Sequence, residues 1–246
     1  MLRSLWFPRT LSVLVFFLAA LAAAAAPAHL ILCVPPATDS AELARKLETW
    51  RKGGRITAGQ LLKVAPGVTS AETIPSNAAL GAVAVLEFAD EAALTRWQQS
   101  PEAKLAAGFT ATRVDLISRV EVAGRDSRAA VFLIAEYEIM VPPARYREYV
   151  DGYVVPQMNA WKKAGLITGA FMYTARERTG APFHAMLLLE HRDAQAFARR
   201  DDVKDESRAQ LASIPSWKAL SDVKATIRTE KFLSWATLAE STSPQR

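Results

Sequence analysis

One cysteine, Cys33, stands in a chain of 246 residues. It cannot form an internal disulfide, so the fold rests on its apolar core rather than on covalent staples. Among apolar neighbours it reads as a strand residue, not a reactive thiol. A lipoprotein site is excluded because the bulky Leu32 precedes it. Histidine is scarce, with three in all. C-x-x-C pairs, H-E-x-x-H, a glycine-rich phosphate loop and a G-x-S-x-G elbow are lacking, which removes the common zinc, nucleotide and serine-hydrolase readings. Charge of one sign is lacking too. Thirty Lys and Arg face 25 Asp and Glu, a formal net charge of +5, and the signs interleave as on an ordinary solvated surface. So small and dispersed an excess predicts no nucleic-acid partner.

What is present begins with a leader. Arg3 and Arg9 make a positive start, Leu11 to Leu21 is apolar and uncharged, and Ala22 to Ala26 supplies small residues. Residues 1–28 read as a secretory signal, with cleavage after Ala28 or near Ala25. The expected location is periplasmic or secreted. Past the leader no apolar run is long enough to span a bilayer. Half of the residues are hydrophobic, enough to bury a sizeable core.

The chain then repeats itself. Trp50-Arg51-Lys52-Gly53-Gly54-Arg55-Ile56-Thr57 returns as Trp161-Lys162-Lys163-Ala164-Gly165-Leu166-Ile167-Thr168. Each copy reads as a last helical turn with its Trp facing the core, cations at a helix C-terminus, a glycine exit and a strand start. Val34-Pro35-Pro36-Ala37 returns as Val141-Pro142-Pro143-Ala144. Leu86-Glu87-Phe88-Ala89-Asp90 through Leu94 returns as Leu189-Glu190-His191-Arg192-Asp193 through Phe197, sharing L-E-x-x-D-x-x-A-[LF]. Three matches in one order, separated by indels, indicate a divergent duplication.

Periodicity and caps predict the order β-α-β-β-α-β twice. Copy one spans 29–120, residues 121–128 link, copy two spans 129–240, and 241–246 form a disordered tail. In copy one the predicted elements are strands at 30–34, 55–64, 82–88 and 110–120, with helices from about Ala41 and after Asp90. In copy two, strands are predicted at 131–140, 167–175, 183–190 and 223–233. A helix over 143–163 is bent or split by Gly152 and Pro156, Asp193 caps another, and a polar stretch runs to Arg208. Each copy is a ferredoxin-like unit. Its strands, such as Val83-Ala84-Val85-Leu86 and Met186-Leu187-Leu188-Leu189, are apolar on both faces, so both faces are buried. The fold class is α+β, two tandem ferredoxin-like units packed sheet to sheet as an intrachain α/β barrel with helices outside.

The strand-plus-cap segments Val83 to Trp97 and Met186 to Phe197 resemble those of the dimeric α/β-barrel superfamily, among them small proteins related to antibiotic-biosynthesis monooxygenases. The resemblance covers about Leu30 to Leu238 as two fused copies. It implies a cavity between sheet and helices, which accepts substrates in some members and haem in others. No catalytic set carries over.

Candidate residues come from the chain itself. Glu87 and Glu190 are equivalent by the repeat and share a face with Val83 and Val85, and with Met186 and Leu188. They read either as paired carboxylates, one acting as a base, or as strand-end acceptors bonded by the following helix. His184 and His191 are an odd number of residues apart, which sends them to opposite faces and argues against a shared metal. His184 could ligate haem or act as a base, assisted by Tyr137 or Tyr173. His29 would need a second histidine to bind copper. Tyr146, Tyr149 and Tyr153 form a stripe on one helix, and Arg176 and Arg178 sit at a hairpin tip. The catalytic candidates are therefore Glu190, Glu87, His184 and Tyr137, with no cofactor or metal set assigned. The chain reads as an exported protein that binds a small, largely apolar ligand, as monomer or homodimer. The alternative is a cofactor-independent oxygenase or isomerase, or a haem-dependent enzyme. Copy two, richer in tyrosine and histidine, is where a site is expected.

Overall fold

The structure, a computed structural model, describes residues 26–65, 74–104 and 108–239. The expected leader, apart from residues 26–28, and the expected tail lie outside the described residues. Copy one contributes β1 (Ala28–Val34), α1 (Ser40–Lys52), β2 (Ala58–Val64), β3 (Ala82–Phe88), α2 (Glu91–Gln98), the short α3 (Pro101–Lys104) and β4 (Thr110–Glu121). Copy two contributes β5 (Val131–Ile139), α4 (Pro143–Tyr149), a π turn (Val150–Val154), α5 (Val155–Lys163), β6 (Ile167–Ala175) and β7 (Ala185–His191). It continues with α6 (Ala194–Ala198), α7 (Arg200–Leu211), α8 (Pro215–Asp222), α9 (Lys224–Ile227) and β8 (Arg228–Leu238).

The eight strands close into one antiparallel barrel in the order β1-β3-β2-β8-β5-β7-β6-β4. Each copy supplies four adjacent strands in the ferredoxin-like order, and the two sheets join edge to edge. One seam is β2 against β8, with Leu62 opposite Leu238 and Val64 opposite Ala236. The other is β4 against β6, from Val114–Ala175 to Glu121–Gly169. Alternation along the strands serves two interiors. Ile31, Val83, Val85, Phe132, Met186 and Leu188 face inward and fill the barrel. Leu30, Leu32, Ala84 and Leu86 face outward under α1 and α2, and Ala135, Leu187 and Leu189 face outward under copy two's helices. Cys33 lies half-buried against the barrel interior, where burial pushes its thiol up to about 12.

The repeated joint is built alike in both copies. Gly54 and Gly165 take φ of 67° and 68°. The following N–H reaches back to the tryptophan carbonyl, Arg55 to Trp50 at 2.8 Å and Leu166 to Trp161 at 3.0 Å, which closes a Schellman-type end. Asp90 and Asp193 cap α2 and α6 through Ala93 N–H and Ala196 N–H at 2.6 and 2.7 Å. The tryptophans differ, however. Trp50 is buried edge-on against Trp97, with centroids 5.4 Å apart, whereas Trp161 is half-buried and donates to Ser207 Oγ at 2.8 Å.

Two local expectations are corrected, and a third is made specific. The last strand starts at Arg228 rather than 223, because pairing with β5 sets its register at Ile139–Arg228 and residues 224–227 form α9; a short apolar run does not reveal register. The polar stretch to Arg208 is the helix α7, which buries Val203 and Ser207 one turn apart. The helix over 143–163 is interrupted by the π turn at Gly152, where a Cβ would lie 2.6 Å from Leu220 Cδ1.

Gly81 precedes β3 against the Pro35-Pro36 turn. Its N–H donates to Val34 O at 2.7 Å and its carbonyl accepts from Val64 N–H at 2.9 Å. A Cβ there would fall onto Pro36 Cα and lie 2.7 Å from Pro35 O, both backbone atoms. Gly81→Ala is expected to cost about 1–3 kcal/mol of stability, read as a lower urea midpoint at unchanged slope. Wild-type stability would refute the tight approach.

Candidate functional site

Copy two holds a cavity of about 520 Å³ between the outer face of its sheet and its helices. The floor is apolar strand surface, including Leu133, Ala135, Met172, Leu187, Leu189 and Leu233. The roof is the π turn, α5 and α7, through Tyr153, Met158, Trp161 and Lys204. Ile74, from the long β2–β3 connection of copy one, reaches the same cavity, and its neighbour Pro75 accepts from Leu233 N–H at 3.1 Å. In copy one the corresponding layer is filled by Trp50, Trp97 and Phe88, whose rings interlock, with Leu43 and Leu47.

The cavity has two polar ends. At one, Arg228 lies over the Tyr137 ring, its Cζ 3.8 Å from the centroid. Its Nε–H donates to Tyr149 Oη at 3.1 Å, and its Nη2 pairs with Glu230 Oε1 at 3.1 Å. Nη1 is buried and meets no hydrogen-bond partner. Burial raises the Tyr137 hydroxyl well above its ordinary value, against the opposing pull of Arg228. The stripe Tyr146, Tyr149 and Tyr153 is buried. It stacks onward onto Trp217, 4.8 Å from Tyr153, and among the three Tyr153 lines the cavity.

At the other end stands His191, 1% exposed, edge-on to Phe197 at 5.2 Å. Its Nδ1 lies 3.2 Å from Val131 O. A carbonyl only accepts, so Nδ1 carries the proton and Nε2 keeps its lone pair. Burial, with the Arg200 cation adding to it, pushes this imidazole down to about 4, against the Val131 carbonyl. The ends lie opposite Ile139 and Val131 of β5, roughly 26 Å apart at strand rise.

Of the four sequence candidates, Tyr137 lines this cavity and the other three are elsewhere. Glu190 points into the barrel and is fully buried. It accepts from Ser127 Oγ at 2.8 Å and Thr168 Oγ1 at 2.9 Å, and it pairs with Arg125. Glu87 sits at the same barrel end, half-exposed, accepting from Thr57 Oγ1 at 3.2 Å and lying 3.7 Å from His29 Nε2. Thr57 and Thr168 close the repeated tryptophan motif, so within each copy that motif holds the carboxylate of the later strand-and-cap motif. The donors are thus threonines of the preceding loop and strand, not the following helix. His184, just before β7, accepts Ile139 N–H on Nδ1 at 3.1 Å. The partner of His29 is Glu87, not a second histidine, and among the described residues no group of three or more His, Cys, Asp or Glu could hold a metal ion. Arg176 pairs with Asp115 at 2.8 Å, and Arg178 donates to Val141 O at 3.1 Å.

Arg228 and the role of His191 escaped sequence reading. The available signal was a cation on a strand that otherwise presents Leu233 and Trp235 outward, and register was needed to use it. Glu136 was missed too. It is fully buried, bonded by Asn77 Nδ2 at 3.0 Å, and burial raises its carboxyl.

A candidate monooxygenase from Lactobacillus acidophilus matches over 88% of this chain and 94% of its own, with TM-score 0.51 and 12% identity. An anthrone oxidase-like protein matches over 89% and 94%, with TM-score 0.55 and 10% identity. A candidate chlorite dismutase matches over 87% and 95%, with TM-score 0.48 and 8% identity. No family model and no curated protein matches the chain. By fold the chain is an α/β barrel of eight antiparallel strands, with both ferredoxin-like halves in one chain. At such identities the likeness carries the fold alone.

Two outcomes are expected from these placements. Glu190→Ala removes the buried acceptor of Ser127 and Thr168 and leaves Arg125 to Glu121 alone, and should cost about 1–3 kcal/mol, whereas Glu87→Ala at the half-exposed mouth should cost under about 1 kcal/mol. Chemical denaturation of both variants checks this, and equal losses would contradict the burial argument. His191 protonates near 6.5 when unfolded but near 4 when folded. Between those values the unfolded state holds the extra proton, so stability is full above pH 6.5 and falls, by on the order of 3 kcal/mol, as pH drops toward 4. His191→Gln should flatten that part of the profile; parallel profiles would sink the assignment.

Proposed function

We propose that this is an exported protein that binds a small, largely apolar ligand in the sheet–helix cavity of copy two. The observation that carries the reading is the contrast between the copies. Interlocking aromatic rings fill the layer in copy one, which keeps a groove of about 390 Å³ only at its α1–β2 edge, whereas copy two is open to about 520 Å³, with apolar sheet side chains as the floor and charged side chains sharing the lining. Apolar surface combined with placed polar groups is common in small-molecule sites. Export rests on the leader in the sequence. β1 begins at Ala28, so cleavage near Ala25 leaves the barrel whole. Among the described residues no helix is long and apolar enough to cross a membrane.

A second reading, an enzyme at the same cavity, has His191 in its favour. Its Nε2 lone pair and neutral state near pH 7 would suit a ligand to haem iron, and Arg200 and Lys204 of the lining would suit the haem carboxylates. Bound haem would supply redox chemistry there, and this chain would supply the imidazole and the apolar enclosure. The proteins matched in fold include ones described as a monooxygenase and as anthrone oxidase-like, which keeps this reading open to test.

Native mass spectrometry of the protein from its own envelope reads both claims. A mass lacking about 25–28 residues together with a co-purified small molecule is expected, and a Soret band would turn the reading to haem. Ala135→Phe places a ring in the cavity and should weaken binding of an apolar fluorescent probe at least tenfold, with the fold retained by circular dichroism. Unchanged binding would remove the cavity from the proposal.

A further inference from the structure

The Arg228 end of the cavity is an arrangement that neither packing nor folding requires. A guanidinium carries five N–H donors in a planar fork. Here Nε–H is taken by Tyr149 and Nη2 by Glu230, while Nη1 is buried without a partner. Leaving a buried charged donor unmet is costly, and an apolar residue over Tyr137 would pack without that cost. The unmet edge belongs to a residue that lines the cavity. The cavity lining also carries five cations, Arg200, Lys204, Arg208, Lys224 and Arg228, against the carboxylates Asp201 and Glu230. An entrance of that sign draws anions from solution.

We propose that the ligand is an amphipathic monocarboxylate, its carboxylate drawn to the incompletely paired guanidinium of Arg228 and its apolar body lying along the sheet toward Trp235. The inference rests on the reading of this cavity as a ligand site and adds the chemical class. A single negative charge fits better than a dianion, because Glu230 already occupies the neighbouring Nη2 and would oppose a second charge. Tyr149 Oη, having accepted Nε–H, holds the guanidinium in position. Tyr137 beneath it fixes its plane, so little side-chain freedom is lost on binding.

The test uses the full chain and two probes of equal length, octanoate and 1-octanol, titrated at pH 7.5 with the fluorescence of Trp161 and Trp235 as reporter. Octanoate should bind at least about tenfold more tightly than 1-octanol, and added salt should narrow the gap. Arg228→Gln should bring octanoate to the affinity of 1-octanol and leave 1-octanol within about twofold. Lys224→Gln, an exposed change that spares the fold, should slow octanoate association and leave 1-octanol unchanged. Equal binding of the two probes to the unaltered protein overturns the carboxylate assignment while the cavity stands as an apolar site. Binding of neither overturns both readings. An octanoate preference that survives Arg228→Gln places the anion elsewhere and overturns this one. Should Arg228→Gln fail to fold, the wild-type comparison and its salt dependence decide alone.

Discussion

Everything in this molecule depends on two seams. Each half makes a four-stranded sheet that is apolar on both faces, and one ferredoxin-like unit has helices for only one of them. The remaining face must be covered, and each half covers the other's. The seam of β2 on β8 and the longer seam of β4 on β6 close the barrel, so the edges that would invite foreign strands are paired within the chain. Because both sheets come from one polypeptide, the inner core forms without a second copy.

Closure also frees the two outer layers from each other. Copy one uses its layer for stability, with Trp50 locked against Trp97 and aliphatic side chains of α1 laid over β1 and β3. Copy two has inserted a π turn and a long amphipathic α7. Trp161 turns its indole N–H to Ser207 on α7 instead of filling the space beneath. The divergence of two equivalent tryptophans is where a packed layer has become a cavity. A duplicated fold can diverge in this way, one layer close-packed while the other keeps a cavity.

Much of this was legible in the residues. The glycine exits, the aspartate caps and the two-faced strands each depend on contacts within a few residues, or on a period of two, and such signals survive in one dimension. Within each half, the threonine that ends the tryptophan motif and the glutamate of the later strand proved to be partners, which gives both motifs a shared role in both halves. Glu190 shows the limit. A carboxylate at the end of an apolar strand looks the same whether it is a base or half of an ion pair, and the deciding groups, Arg125 and Ser127, lie more than sixty positions away in the chain.

The sequence by itself determined the duplication, the element order and the burial of both sheet faces, because hydrophobic period and local capping are properties of neighbouring residues. Tertiary structure alone decided which face each half opens, which histidine meets the cavity, and that Arg228 stands there with one edge unmet. Those outcomes hinge on strand register and on helices held apart across the fold, where a shift of one residue turns every side chain to the opposite face.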